Sequence, residues 1–117
     1  MAELIACLGS GKGTWGHVAR LINEQEWDKV FVIADNFFKE KINLDNVDII
    51  IIDSNKYLSL LVKDIKNRLK NKIKGTEVAL NLFSGSGKEH MAIVAALLKL
   101  GLGIRLVALT PNGIKEV

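Results

Sequence analysis

The sequence predicts an α/β fold, a mainly parallel five-stranded sheet with helices on both faces, and three observations carry that prediction. Short unbroken apolar runs alternate with longer stretches of helical period, which is the pattern of a parallel sheet covered by its crossover helices. The connections between them are short. Two of those connections repeat one tetrapeptide, Gly-Ser-Gly-Lys, each time between an apolar run and a helix.

Leu4 to Leu8 is an apolar run ending in Gly9-Ser10-Gly11-Lys12-Gly13-Thr14, and reads as a buried strand. Val18, Leu21 and Ile22 then recur at helical spacing, with Thr14 as N-cap. Lys29 to Ala34 is a second strand, broken by Asp35-Asn36. The polar stretch Phe37 to Asn46 is expected to hold a helical turn and a loop. Val47 to Asp53, with its run Ile49-Ile50-Ile51-Ile52, is a third strand covered on both faces. Ser54 or Asn55 is expected to cap a helix running to about Lys74, with Leu58, Leu61, Val62, Ile65, Leu69 and Ile73 inward, lysines outward and Gly75 as the stop. Glu77 to Phe83 is a fourth strand ending in Ser84-Gly85-Ser86-Gly87-Lys88. A helix from about Glu89 to Leu100 ends at Gly101 and Gly103, and Ile104 to Thr110 is the fifth strand. Right-handed crossovers turn this sequence of elements into a Rossmann-like three-layer sandwich of strand order 3-2-1-4-5. The first and fourth strands are then neighbours at the switch point, where ligands of open α/β sheets bind beyond the carboxyl ends of the strands.

The 117 residues, 49% of them apolar, are enough for one domain spanning 1–117 with a core of its own. The single cysteine, Cys7, excludes an intramolecular disulfide framework and a multi-cysteine metal site, and its place in a buried strand makes it an inert thiol. No run approaches the ~20 apolar residues of a membrane span, and the N-terminus lacks the features of a signal peptide, so a cytoplasmic location is expected. The net charge of +3, from 16 Lys plus Arg against 13 Asp plus Glu, suits an anionic ligand but lacks the dense basic face of a duplex-DNA binder.

The repeated tetrapeptide carries the functional signal. Glycines let the backbone approach a ligand so that several N–H groups converge on one anion. The following helix start adds unpaired N–H groups and the positive end of its dipole, lysine adds a mobile charge and serine a hydroxyl. Two such loops at one crevice suit a ligand with more than one phosphate, bound by Gly9 to Thr14 and by Ser84 to Lys88. Neither a metal nor a cofactor is called for. Asp35, Asn36, Asp53 and Thr110 end strands on the same edge, and of these Asn36 joins the candidate set. His17 and His90 either line the site as acid or base or are helix-surface residues; Trp15 either stacks on a base or packs on the next element, and Trp27 belongs to the core or an interface.

Other readings of the same loops are less complete. Gly9-Ser10-Gly11-Lys12-Gly13-Thr14 looks like the end of a Walker A loop, with Ile49 to Asp53 as a Walker B strand and Asp53 toward Mg²⁺, but Ala6 stands where the signature requires its first glycine. A dinucleotide fingerprint lacks its last glycine. If the glycines are only tight turns, the chain is an adaptor subunit without a ligand.

Asn81-Leu82-Phe83-Ser84-Gly85-Ser86-Gly87-Lys88, followed by Met91-Ala92-Ile93-Val94-Ala95-Ala96, resembles the second ligand-binding motif of the CRISPR-associated Rossmann fold family: a polar residue, then Thr-Gly-Gly-Thr-Lys, leading into an Ala-rich helix. The closing strand Gly103-Ile104-Arg105-Leu106-Val107 is also similar, and the resemblance covers essentially the whole chain. Ser86-Gly87-Lys88 stands in place of the family's Gly-Thr-Lys, and Lys12 is additional. The resemblance implies a sensor of cyclic oligoadenylate in CRISPR-type antiviral defence, acting as a homodimer through a separate effector. Some members of that family cut their ligand without a metal. On that reading Ser10, Lys12, Ser86 and Lys88 would hold phosphates and stabilise developing charge.

Overall fold

In the computed structural model, which describes residues 2–9, 12–38 and 46–117, one six-stranded sheet runs through the molecule in the order β3-β2-β1-β4-β5-β6. The strands are β1 (Glu3–Leu8), β2 (Lys29–Asp35), β3 (Asp48–Ile52), β4 (Glu77–Asn81), β5 (Gly103–Thr110) and β6 (Gly113–Glu116). The first five are parallel to their neighbours, and β6 returns antiparallel along β5. The five-strand expectation is therefore corrected by a sixth strand at the edge. Its cause is the tight turn Pro111-Asn112-Gly113: Gly113 takes φ +95, which favours glycine, and Thr110 Oγ1 donates to Gly113 O at 2.7 Å.

Helix α1 (Trp15–Asn23) lies on one face of the sheet, and α2 (Leu58–Leu69) and α3 (Gly87–Lys99) lie on the other. Strand alternation makes this division. Leu4, Ala6, Leu8, Val30, Val32 and Ala34 pack toward Val18 and Leu21 of α1. Ile5, Cys7, Phe31, Ile33, Ile50 and Ile52 pack toward Leu61, Ile65 and Leu69 of α2 and Ile93 and Leu97 of α3. Every residue of β1 is buried: the apolar run Leu4 to Leu8 as a central strand requires, and Glu3 with its carboxylate accepting the Lys74 and Gly75 N–H groups. No helix among the described residues is long and apolar enough to cross a membrane.

Three helix boundaries differ from the sequence expectation. α2 begins at Leu58 with Tyr57 as N-cap, because the Ser54 N–H and hydroxyl are drawn instead to the Asp35 carboxylate at the end of β2. It ends at Leu69, well before Gly75: Asn71 takes the left-handed conformation at φ +66, which stops the helix. Gly75 instead donates its N–H to buried Glu3, at 2.8 Å, and so ties the α2–β4 connection to β1. α3 begins two residues earlier than Glu89 and ends in a Schellman turn, with Leu102 N–H to Leu97 O at 3.1 Å, Gly101 N–H to Leu98 O at 3.0 Å and Gly101 at φ +74. Of the stretch Phe37 to Asn46, a 3₁₀ turn spans Asn36–Phe38, and 39–45 lie outside the described residues.

Candidate functional site

The site follows from the register of the two central strands. Ala6 of β1 lies opposite Asn81 of β4. An equal step beyond each brings Gly9 to Ser84, and the Gly9 N–H donates to Ser84 Oγ at 2.8 Å. Thr14 Oγ1 donates to the same oxygen at 2.6 Å, so buried Ser84 joins both ends of the first loop to the second. Trp15 Nε1–H closes the first loop from its other side, donating to Gly9 O at 2.8 Å, while the Trp15 ring packs on the α1-side core. Trp27 does likewise, donating to Leu21 O.

The loops touch backbone to backbone. A Cβ on Gly9 would collide with Gly85 Cα and lie 2.6 Å from Gly85 N. Gly85 itself stands at φ +103, and a Cβ there would come 2.6 Å from Cys7 Sγ. Packing thus accounts for these two glycines. It does not account for Gly13 and Gly87, where an added Cβ would meet nothing within 4 Å and where φ is not positive.

Ser86 is the N-cap of α3 in a reciprocal capping box: Glu89 N–H donates to Ser86 Oγ at 3.2 Å, and Ser86 N–H donates to Glu89 Oε1 at 2.7 Å. The Ser86 hydroxyl is therefore engaged by the helix. Glu89 is buried beneath the loop, and its carboxylate offsets part of the positive end of the α3 dipole. Burial, aided by Glu89, pushes the Cys7 thiol up to about 12. Among the described residues, the N–H groups of Gly85, Gly87 and Lys88 have no hydrogen-bond partner, and all three residues are exposed. The Lys88 ammonium reaches across to the β3–α2 turn and donates to Ser54 O at 2.8 Å.

Both histidines hold the site together. The His90 Nε2–H donates to Ser84 O at 2.7 Å, since a carbonyl only accepts. His17 stacks on Phe83, with ring centroids 3.9 Å apart and an 8° interplanar angle. Its Nε2 accepts from Asn81 Nδ2 at 3.2 Å. The same amide donates to Val107 O at 2.8 Å and its oxygen accepts the Phe83 N–H at 3.2 Å, which fixes its orientation and leaves the His17 proton on Nδ1. Desolvation, with the Arg20 charge, holds His17 below the ordinary histidine value.

The remaining residues of the candidate set divide. Ser10 and Gly11 lie outside the described residues. Lys12 opens the 3₁₀ turn Lys12–Thr14, and Gly13 within it is exposed. Asn36 is exposed at the end of β2, and no hydrogen bond joins it to either loop among the described residues. Its neighbour Asp35 is structural: burial pushes its carboxyl up, but bonds from the Ser54 hydroxyl and N–H and from the Phe37 and Asn36 N–H groups outweigh this and hold it below the ordinary value. Asp53 accepts the Asn55 N–H at 3.0 Å. Sequence reasoning missed the bracket formed by Asn81, His17 and Phe83, which only the tertiary fold brings together. It also missed the capping role of Ser86 and Glu89, which the spacing Ser-x-x-Glu signals. No protein-family model matches the chain, and no curated protein matches it.

Proposed function

We propose that the chain is a nucleotide-binding sensor domain that takes a cyclic oligoadenylate at the C-terminal edge of its sheet, between the β1–α1 and β4–α3 loops. One observation carries the reading: Gly9, which opens the first Gly-Ser-Gly-Lys loop, packs directly on Gly85, which opens the second, at the switch point of an open parallel sheet. The N–H groups of Gly87 and Lys88 in the first turn of the 13-residue helix α3, and that of Gly85 just before its N-cap, have no hydrogen-bond partner among the described residues, and with the Lys88 ammonium nearby they support a phosphate there. Open space above Gly87 leaves room for the ligand to approach. The adenylate identity and the defence role rest on the resemblance of the second loop and its helix to the CRISPR-associated Rossmann fold family.

A homodimer is part of the proposal. Met91 and Leu98 are exposed on α3, and with half-buried Val94 and Ala95 they form an apolar stripe directly beyond the Gly85 loop. Pairing two copies through this stripe would bring two loop sites about one two-fold axis, matching the symmetry of an even-numbered ring. The Nε2 atoms of His17 and His90 are engaged in hydrogen bonds within the fold, and the proposal assigns neither ring a catalytic role.

Calorimetric titration with cyclic tetra-adenylate and cyclic hexa-adenylate, beside Mg-ATP, tests the reading. One ring bound per two chains, weakened tenfold or more by Lys88→Ala, is the expected result. Binding of Mg-ATP alone would replace the sensor with a P-loop-like protein.

A further inference from the structure

Phe83 is 57% exposed although it lies between buried Asn81 and buried Ser84. One face of its ring is covered by His17 in a near-parallel stack, so the exposure belongs to the opposite face and the edge. A single exposed apolar side chain needs no explanation, but this one is held in place. The buried Asn81 amide accepts the Phe83 N–H through its oxygen, donates to His17 Nε2 through its nitrogen, and is anchored on Val107 O. Both rings are thereby ordered before anything binds, which removes a side-chain ordering cost from any partner that stacks on them. The bare face stands one residue from Ser84 and two from Gly85, where the open N–H groups begin.

We propose that Phe83, backed by His17, is a stacking platform for a nucleobase, so that the β4–α3 loop takes a nucleotide in preference to a bare phosphate. The inference rests on the anion-binding reading of that loop and adds what the loop alone does not supply, a flat π surface for the base. Stacking of a base on an aromatic side chain tolerates any base, so Phe83 distinguishes nucleotide from sugar phosphate and leaves the choice of base to other contacts.

Three probes separate the platform from the loop: AMP, ribose 5-phosphate and adenosine, each titrated into the wild-type chain, Phe83→Ala and Phe83→Trp. AMP is expected to bind the wild type about 5- to 150-fold more tightly than ribose 5-phosphate. Phe83→Ala is expected to bring AMP to the level of ribose 5-phosphate without changing the latter, and Phe83→Trp to keep the advantage. If AMP and ribose 5-phosphate bind the wild type equally, or Phe83→Ala leaves the advantage of AMP intact, the platform is overturned while the anion site stands. If adenosine binds in a Phe83-dependent way and ribose 5-phosphate does not bind, the platform stands and the anion reading of the loop falls. Should Phe83→Ala fail to fold, Phe83→Leu, which keeps apolar bulk without a π face, takes its place with the same expected loss. Binding of none of the three probes overturns platform and anion site together, whereas a Phe83→Ala variant that alters only self-association overturns the platform alone.

Discussion

Gly9 and Gly85 meet backbone to backbone, with no room for a Cβ on Gly9 and with Gly85 at φ +103. The fold uses these two glycines to bring its loops together, whereas Gly87 stands in open space at the first turn of α3. The three positions should therefore respond differently to alanine. Gly9→Ala and Gly85→Ala are expected to lose about 1–3 kcal/mol or more of stability from overpacking. Gly87→Ala is expected to change stability by less than about 0.5 kcal/mol and to weaken cyclic tetra-adenylate binding about tenfold. Urea denaturation and calorimetry on the same variants read both effects.

Glu89 both caps α3 and sets a negative charge beneath the second loop. Ser86→Ala should cost about 0.5–2 kcal/mol through loss of the cap. Glu89→Gln keeps an acceptor for the Ser86 N–H but removes the charge, so it should cost less stability and raise phosphate affinity severalfold. A fall in affinity would show that the carboxylate orders the loop more than it repels the ligand.

Asp35 and His17 give the fold a dependence on acid. The folded pKa of Asp35 is depressed, so its contribution is complete above the ordinary aspartate pKa of about 4 and is lost as pH falls through the lower folded value. His17 is also depressed, so its contribution is complete above about 6.5 and declines as pH falls below that, where the unfolded chain takes up the proton first. Stability measured by denaturation should thus decline below about pH 6.5 and again below about pH 4. Asp35→Ala should remove the second decline and cost about 1–3 kcal/mol at neutral pH by freeing Ser54 and the β2 end.

Cys7 lies fully buried under Gly85, with its thiol pushed up to about 12 by burial and by Glu89. At pH 8 the native chain should leave an aromatic disulfide reagent essentially unreacted, and labelling should appear only at the unfolding transition. Rapid labelling of the native chain would contradict the packing of Cys7 against the Gly85 loop.

The parallel core was legible because its strands are unbroken apolar runs and its helices keep their spacing. β6 was not, since Gly113-Ile114-Lys115-Glu116 has a single apolar residue, and its cue lay in the turn Pro111-Asn112-Gly113. The start of α2 was misread because Ser54 answers to Asp35, which is distant in sequence and adjacent only through the β2–β3 pairing. At the site, the repeated tetrapeptide pointed to the two loops that meet. The partners that hold them come from distant segments, His17 from α1 and Asn81, Phe83 and Ser84 from the end of β4 and just beyond it, and only the tertiary fold brings them together.

The most direct measurement is a ¹H–¹⁵N titration of the labelled chain with cyclic tetra-adenylate, followed amide by amide. A phosphate held at the start of α3 should move the Gly85, Gly87 and Lys88 amides together and saturably, with smaller shifts at Gly9. Shifts confined to the opposite, N-terminal edge of the sheet, around Glu3, Lys74 and Gly75, or no saturable shift at the Gly85 loop, would contradict the site.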